Sequence, residues 1–273
     1  MKRQMIWVWL CACLLMLSGQ SSLQMQAATD HAGWTAQAPA WDGTLRRIRV
    51  PILMYHYVST PPDTADTLRV NLSLEPEDFR AQMEYLFYEG FTPVSLYALH
   101  NALQTGAPLP AKPVILTFDD GYADHYTNVF PVLREFGFTG TFFIITGTAD
   151  NNVAGYLTWP QIAEMSAAGM SMESHTRDHP DLRGRDYPYL VYQLLGALES
   201  LAAYTSQSPG FLAYPVGHYD DLVLTVLRTM PVRGAVTTQP GDLHTTGLEL
   251  EMPRVRISYG MGAGALAGIL GNR

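Results

Sequence analysis

From Pro51 onward, short and continuously apolar segments alternate with segments of helical periodicity, and this alternation constrains the fold more than any other feature. Seven segments, most of them apolar, are predicted to be strands, namely residues 52–56, 114–118, 141–145, 171–174, 211–214, 233–238 and 254–257. Strands that are apolar on both faces are typical of parallel sheets covered by helices. Seven of them in one domain favour closure into a barrel over an open sheet. The sequence therefore predicts an α/β, barrel-like fold.

Two of the intervening helices have marked ends. Pro76 suits the first position of a helix, and Gly90 lies just past the end of that helix. Thr158 and Gln161 form a capping box that opens a second helix, which stops near Gly169. These signals place helices between the predicted strands, as an α/β fold requires.

The N-terminal segment differs from the rest of the chain. Lys2 and Arg3 precede an apolar run at residues 5–17, and a small and polar segment follows at residues 18–28. This order is the pattern of a secretory signal, and the run is shorter than the roughly 20 residues that a membrane span needs. Because no clean Ala-x-Ala cleavage site precedes Thr29, an uncleaved membrane anchor is the alternative.

The chain divides into three predicted regions: a signal peptide or N-terminal anchor at 1–28, a linker at 29–48 and one folded domain at 49–273. We expect a secreted or extracytoplasmic protein that touches the membrane only through the N-terminal segment if that segment is not cleaved. Both cysteines, Cys11 and Cys13, lie in that segment, so its removal would leave no thiol or disulfide chemistry. The net charge of −8 gives no basic surface for nucleic acid, which we do not expect as a partner.

Two clusters of polar side chains directly follow predicted strands, where parallel α/β folds place their active sites. Asp119 and Asp120 follow the second predicted strand, and His175 and His179 follow the fourth. Taken alone, the first cluster also suits a solvated Asp-Gly turn, and the second suits a polar loop. Taken together, one carboxylate and two imidazoles predict an open metal site with room for water and substrate.

Three segments in a fixed order resemble the motifs of a known family. These segments are Thr117-Phe118-Asp119-Asp120-Gly121, Ser174-His175-Thr176-Arg177-Asp178-His179 and Tyr214-Pro215-Val216-Gly217. They are similar to the three motifs of the polysaccharide deacetylase family, carbohydrate esterase family 4, and the similarity runs from about residue 51 to residue 258. The resemblance implies an irregular (β/α)7 barrel-like fold and a polysaccharide deacetylase domain at 49–273.

The resemblance also implies roles for individual residues. Asp120, His175 and His179 would bind one divalent metal ion, and Asp119 would be the general base. This ligand set suits zinc, with iron, cobalt or nickel as alternatives, and such an ion lowers the pKa of bound water. His56 alone would be interpreted as a packed residue. The matching histidine supplies the general acid in a branch with permuted motifs that includes poly-N-acetylglucosamine deacetylases, so His56 is the candidate acid.

The third motif is implied to bind substrate through Tyr214, Pro215 and Val216, with the Val216 backbone N–H stabilising the oxyanion. Two positions depart from the family pattern. Ala213 stands where the motif usually has an arginine that orients the base, and Val216 stands where an aromatic residue is usual. The segment 253–257, on a neighbouring predicted strand, is the candidate source of a substitute cation.

The expected function is metal-dependent hydrolytic N-deacetylation of an N-acetylglucosamine-containing polysaccharide, with release of acetate. An exopolysaccharide is favoured over peptidoglycan or chitin as the substrate. One alternative is an O-acetyl esterase, which would use the same metal site with less need of an acid. The other is a degenerate, non-catalytic carbohydrate-binding domain, which only the departures at Ala213 and Val216 support. In each case the expected partner is a polysaccharide.

Overall fold

Strands and helices alternate through residues 40–271, the part of the chain that the computed structural model describes. The strands are β1 (Arg47–Arg49), β2 (Ile52–Tyr55), β3 (Thr92–Pro93), β4 (Pro113–Phe118), β5 (Thr141–Ile144), β6 (Ser171–Ser174), β7 (Phe211–Ala213), β8 (Gly234–Pro240), β9 (Leu243–Thr245) and β10 (Met252–Arg256). The helices are α1 (Thr67–Asn71), α2 (Pro76–Tyr88), α3 (Leu96–Thr105), α4 (Phe130–Glu135), α5 (Thr146–Asp150), α6 (Trp159–Ala167), α7 (Tyr187–Thr205), α8 (Asp221–Leu227) and α9 (Ala263–Gly271). A π-helical turn covers His125–Val129, and 3₁₀ turns cover Pro215–Gly217 and Glu249–Glu251.

Seven of the strands close into a parallel barrel in the order β2-β10-β8-β7-β6-β5-β4. The ring closes because β2 pairs with β10 on one side and with β4 on the other, where Ile52 lies opposite Ile115. The short β3 pairs with the start of β4. The seven barrel strands coincide with the seven segments predicted from the sequence, so the barrel-like α/β fold is confirmed.

The two helices with marked ends are also confirmed. Helix α2 begins at Pro76, and Gly90 follows its end with the positive φ of 74° that glycine accommodates without strain. At the start of α6 the Thr158 N–H donates a hydrogen bond of 3.0 Å to Gln161 Oε1. The local sequence thus specifies where these helices begin.

Alternate side chains of the strands face the inside of the barrel and its helical coat. Ile52, Ile115, Phe143 and Phe211 come from four different strands and pack together in one buried cluster. Tyr97 of α3 belongs to the same cluster, and its ring lies 4.8 Å from that of Phe211, the first residue of β7. Helix α3 therefore fills the barrel at the end where the strands begin, and the polar groups collect at the opposite end.

A two-stranded antiparallel ribbon joins β1 to β9, with Ile48 opposite His244. Strand β1 crosses the predicted boundary between linker and domain at residue 48, because its pairing partner lies about 200 residues further along the chain. The predicted signal or anchor at 1–28, and the linker as far as residue 39, lie outside the described residues. Among residues 40–271 no helix has the length and apolar content that crossing a membrane requires.

Candidate active site

The carboxyl-terminal ends of the barrel strands surround a cavity of about 460 Å³. Asp119 and Asp120 follow β4, His175 follows β6, and His56 follows β2. All four line the cavity together with His179, so the structure brings the five predicted metal and catalytic residues to one place. Of the predicted substrate-binding residues, Tyr214 and Val216 line the same cavity, whereas Pro215 is buried outside its lining.

Asp120, His175 and His179 converge on a common point. Their ligand atoms all lie within 4.8 Å of one another, with Asp120 Oδ1 at 3.1 Å from His175 Nε2 and 3.5 Å from His179 Nε2. His175 Nδ1 lies 2.7 Å from the Ala213 carbonyl and donates a hydrogen bond to it, so in the neutral imidazole the lone pair is on Nε2 and is directed at the cluster. Burial opposes protonation of His175, but its hydrogen bond with Asp120 outweighs burial and raises the imidazole pKa, so a bound metal ion would take the place of the proton on Nε2. One carboxylate and two imidazoles with this spacing fit a divalent transition-metal ion.

The electrostatics of the cluster favour an ionised Asp120. Burial alone would raise the pKa of its carboxyl, but the hydrogen bond with His175 and the attraction of the neighbouring imidazoles outweigh burial and lower that pKa. Burial and the nearby His175 lower the pKa of His179. The site therefore presents an anionic carboxylate and a neutral His179 imidazole at neutral pH, the protonation states that metal ligands need.

Helix α7 anchors the loop that carries the two histidines. The Asp178 N–H donates to Gln193 Oε1 at 2.9 Å, and Gln193 Nε2 donates to Asp178 Oδ2 at 2.8 Å. Within the loop the His179 N–H donates to Thr176 Oγ1 at 3.0 Å. These bonds turn the chain back on itself, so that the side chain of His179 returns to that of His175.

Backbone strain is concentrated in the three motifs. Residues 40–271 contain six non-glycine residues with positive φ, and four of them are in the motifs: Asp120 (74°), Thr176 (66°), His179 (55°) and Val216 (57°). Side chains disfavour this left-handed region, and a β-branched residue such as Val216 is a clear outlier there. Such conformations persist where the surrounding structure demands them, and they cluster at functional sites.

A buried arginine holds the carboxylate of Asp119. Arg254 Nη1 donates to Asp119 Oδ1 at 2.7 Å, and Nη2 donates to Oδ2 at 2.6 Å. The same guanidinium also donates hydrogen bonds to Thr117 Oγ1 and to the Thr237 carbonyl. Burial opposes ionisation of Asp119, but the attraction of Arg254 outweighs burial and lowers the carboxyl pKa. The substitute cation expected from residues 253–257 is thus present, and it compensates for the alanine at position 213.

His56 lies beside this pair. Its Nε2 is 3.9 Å from Asp119 Oδ2, and burial lowers the pKa of its imidazole to about 4. The position of His56 is fixed through its backbone, because His125 Nε2 donates to the His56 carbonyl at 2.7 Å. The imidazole of His56 is therefore neutral at pH 7 and lies beside the carboxylate of Asp119.

The third motif contains a backbone donor without a partner in the described part of the chain. The Val216 N–H has no hydrogen-bond acceptor among residues 40–271, and Val216 as a residue is 58% exposed. Gly217, with a φ of 76°, packs so tightly on Thr238 that any side chain would collide with it. The Tyr214 ring is buried, and its hydroxyl donates to the Leu250 carbonyl. The motif therefore offers a backbone donor rather than the Tyr214 hydroxyl.

No sequence pattern predicted one wall of the cavity. Leu68, Asn71 and Leu72, in and after α1, line it together with Tyr122. The segment is held by Arg69, which donates to Ser73 Oγ and to Ser59 Oγ and lies 3.3 Å from the centre of the Tyr57 ring. The Tyr57 ring in turn stacks on that of Tyr122. This wall depends on contacts between distant segments, which local patterns do not reveal.

Comparisons with known proteins agree with the geometry. A family model described as "Polysaccharide deacetylase" matches residues 106–235. The protein YxkH of Bacillus subtilis, provisionally named a polysaccharide deacetylase, is 30% identical over 246 residues, which are 90% of this chain and 82% of that protein. A poly-β-1,6-N-acetyl-D-glucosamine N-deacetylase of Staphylococcus epidermidis is 24% identical over 90% of this chain and 92% of its own length.

A solved structure extends the likeness to three dimensions. The Streptococcus pyogenes deacetylase PplD, determined in complex with acetate, superposes with a TM-score of 0.76 and 30% sequence identity. The match covers 82% of this chain and 99% of PplD. The barrel, the three motifs and the full-length relatives lead to the same conclusion: this chain belongs to the polysaccharide deacetylase family.

Proposed function

We infer that the protein removes N-acetyl groups from an N-acetylglucosamine polymer by metal-assisted hydrolysis and releases acetate. The observation that carries this proposal is the convergence of Asp120, His175 and His179 beside the arginine-held carboxylate of Asp119. The full-length similarity to a poly-β-1,6-N-acetyl-D-glucosamine N-deacetylase supports an exopolysaccharide as the polymer.

Asp120, His175 and His179 would hold one divalent ion, with zinc as the proposed metal and iron, cobalt or nickel as alternatives. When bound, such an ion supplies Lewis-acid polarisation of the acetamide carbonyl and lowers the pKa of a water molecule. His175 can serve as a neutral ligand because its other ring nitrogen donates to the Ala213 carbonyl. That bond fixes both the tautomer and the orientation of the ring.

Asp119 is the proposed general base. Its carboxylate accepts a proton from the water that attacks the acetamide carbon, while Arg254 keeps both oxygens in place. The charge that develops on the carbonyl oxygen needs a hydrogen-bond donor, and the unpartnered Val216 N–H is the proposed one. The strained backbone at Val216 presents this donor before substrate arrives.

His56 is the proposed proton donor to the leaving nitrogen. Burial keeps its imidazole neutral at pH 7, so the proton that it delivers is the one that Asp119 has taken from water. The proton crosses the gap of 3.9 Å between Asp119 Oδ2 and His56 Nε2. The carbon–nitrogen bond then breaks, the sugar retains a free amine, and acetate departs.

The experiment is to measure acetate release from acetylated poly-β-1,6-glucosamine, chito-oligosaccharides and peptidoglycan, with and without chelator. We expect release that chelator abolishes and added zinc restores. Asp120→Ala and His175→Ala should abolish release, while Glu199→Ala, which removes an exposed carboxylate on α7, should leave it unchanged. Full activity of either cluster variant would refute the metal role.

O-acetyl ester hydrolysis is the second candidate, and one observation favours it. Burial lowers the pKa of His56 to about 4, so its imidazole carries no proton to donate to a leaving group at pH 7 in the free protein. An alkoxide leaves with less help from an acid than an amine does. If His56→Ala spares ester cleavage and the wild-type protein never cleaves an amide, the ester activity is the correct assignment.

We also propose that the protein is exported from the cytoplasm. The charged, apolar and polar order of residues 1–28 supports export. Fractionation of cells that express the whole chain, followed by N-terminal sequencing of the product, separates a cleaved signal from a retained anchor. A protein found only in the cytoplasmic fraction would contradict export.

A further inference from the structure

Arg256 is a cation that the proposed reaction does not use. It is the last residue of β10, lies opposite Met54 of β2 and lines the cavity of the candidate active site. Its side chain is half-buried, and it makes no hydrogen bond or ion pair with any residue from 40 to 271. Burial lowers the pKa of its guanidinium, and the attraction of the nearby Asp119 opposes that effect only in part.

Arg254 provides the contrast on the same strand. Residues two apart on a strand face the same side, so both arginines point toward the inside of the barrel. Arg254 uses its donors on Asp119, Thr117 and Thr237 and is fully buried. Arg256 lies two residues further along β10, nearer to the opening of the cavity. Both carboxylate oxygens of Asp119 already accept hydrogen bonds from Arg254. The donors of Arg256 are therefore directed at the cavity without an acceptor.

The rest of the cavity wall suits a sugar. Leu68 and Leu72 provide apolar surface, and Asn71 provides an amide that can both donate and accept hydrogen bonds. A pyranose ring has apolar C–H faces and a rim of hydroxyl oxygens, so it needs both kinds of contact. The missing element would be a strong donor for the oxygens, and a guanidinium offers five N–H groups in a fixed plane.

We propose that Arg256 is a substrate-recognition residue, whose guanidinium donates hydrogen bonds to hydroxyl oxygens of the amino sugar that carries the scissile acetamide. The proposal rests on the proposed function, and it names how that site selects a saccharide over a small acetyl compound. Because a hydrogen bond from a charged donor to a substrate contributes more than a neutral one, Arg256 contributes to saccharide binding and not to the chemistry of the acetyl group.

The test compares Arg256→Gln and Arg256→Lys with the wild-type protein on two substrates. For N-acetylglucosamine oligomers, Arg256→Gln should raise KM about tenfold or more and leave kcat within about twofold. Arg256→Lys should recover part of the loss, since it keeps the charge but not the planar set of donors. For 4-nitrophenyl acetate, which has no sugar, kcat/KM should be unchanged in both variants.

Saccharide binding measured by calorimetry without turnover keeps the result independent of catalysis. If the wild-type protein binds the oligomers but releases no acetate from any polymer, the proposed function fails, and the binding loss in Arg256→Gln still decides the role of Arg256. An unchanged KM and an unchanged saccharide affinity in a folded Arg256→Gln protein would overturn the inference. An equal loss on the ester and the saccharide would overturn it as well.

Discussion

Arg254 and Asp119 lie 135 residues apart in the chain and form a bidentate ion pair in which both N–H···O hydrogen bonds are shorter than 2.8 Å. Both side chains are buried. The pair occupies the barrel interior just below the cavity, where an exposed carboxylate would rotate freely and a buried one without a partner would be protonated. Arg254 therefore gives the proposed base both its charge and its orientation.

Replacing Arg254 should impair catalysis and folding together. In Arg254→Ala we expect kcat to fall about 100-fold or more with a smaller change in KM, because the base loses its orientation. We also expect the free energy of unfolding to fall by about 3–5 kcal/mol, since a buried carboxylate loses its partner. Steady-state kinetics and urea unfolding measure the two effects. Arg80→Ala, at an exposed pair with Glu135, is the control.

Moving the arginine to the usual family position should restore part of the activity. Ala213 is fully buried in the cluster inside the barrel, and Arg254→Ala vacates space in that interior. We expect the double variant Ala213→Arg/Arg254→Ala to recover about tenfold in kcat over Arg254→Ala alone. Equal activity of the single and double variants would show that the two positions cannot exchange the cation.

Metal binding should depend on the three converging side chains. Wild-type protein loaded with zinc and dialysed should retain about one ion per chain by elemental analysis, and His175→Ala or His179→Ala should retain almost none. His218→Ala removes a half-exposed histidine that contacts Asp181 and lies outside the cluster, so it should bind zinc normally. Retention of zinc by both cluster variants would be incompatible with the proposed ligands.

Glu173 should make stability depend on pH. This buried carboxyl accepts bonds from the Gly210 and Phe211 N–H groups, yet burial raises its pKa from 4.5 to about 7. The folded state thus binds the proton more tightly than the unfolded state. The stability that this proton contributes is complete below about pH 4.5 and is lost as the pH rises through about 7.

Substitution of Glu173 should remove that dependence. Between pH 5 and pH 8 the wild-type protein should lose up to about 3 kcal/mol of unfolding free energy through this group, and Glu173→Gln should lose correspondingly less. Urea unfolding of both proteins at several pH values measures the difference. Parallel pH profiles for the two proteins would contradict the raised pKa.

Val216 should tolerate loss of its side chain. Its positive φ strains a β-branched residue, and the residue is more than half exposed, so little apolar burial is lost with its side chain. We expect Val216→Gly to raise the free energy of unfolding by about 1 kcal/mol and to keep kcat within a few-fold, because the backbone N–H is retained. A large fall in kcat would instead assign a role to the side chain.

The barrel could be predicted because its strands are encoded locally. Four of the seven segments, at residues 52–56, 114–118, 141–145 and 211–214, are largely apolar runs, as is typical of strands that are buried on both faces. Strand β6 is buried as well, although it reads Ser-Met-Glu-Ser. By contrast, β1 contains two arginines around Ile48 and carries no such pattern. It is a strand because β9 lies beside it, and the pairing of distant segments is a property of the assembled fold.

The candidate site likewise has a part that the sequence predicts and a part that depends on the assembled fold. Asp119 with Asp120, and His175 with His179, are close in sequence and follow strands whose ends must meet, so their convergence could be expected. The wall formed by α1 could not, because Leu68 is largely exposed in the fold and its place at the cavity depends on contacts between distant segments. The unpartnered state of Arg256 could not be expected either, since it depends on Arg254 having already taken the nearby carboxylate.

The position of α3 has a consequence for how a long polymer can be handled. Since this helix fills one end of the barrel, the cavity within residues 40–271 opens at the other end, on the side of the motif loops. A polysaccharide cannot be threaded through the enzyme as through a ring, and it must instead lie sideways across the opening. Each acetamide group would enter the cavity individually. The protein could therefore act on sugars in the middle of the polysaccharide and would not need a free chain end.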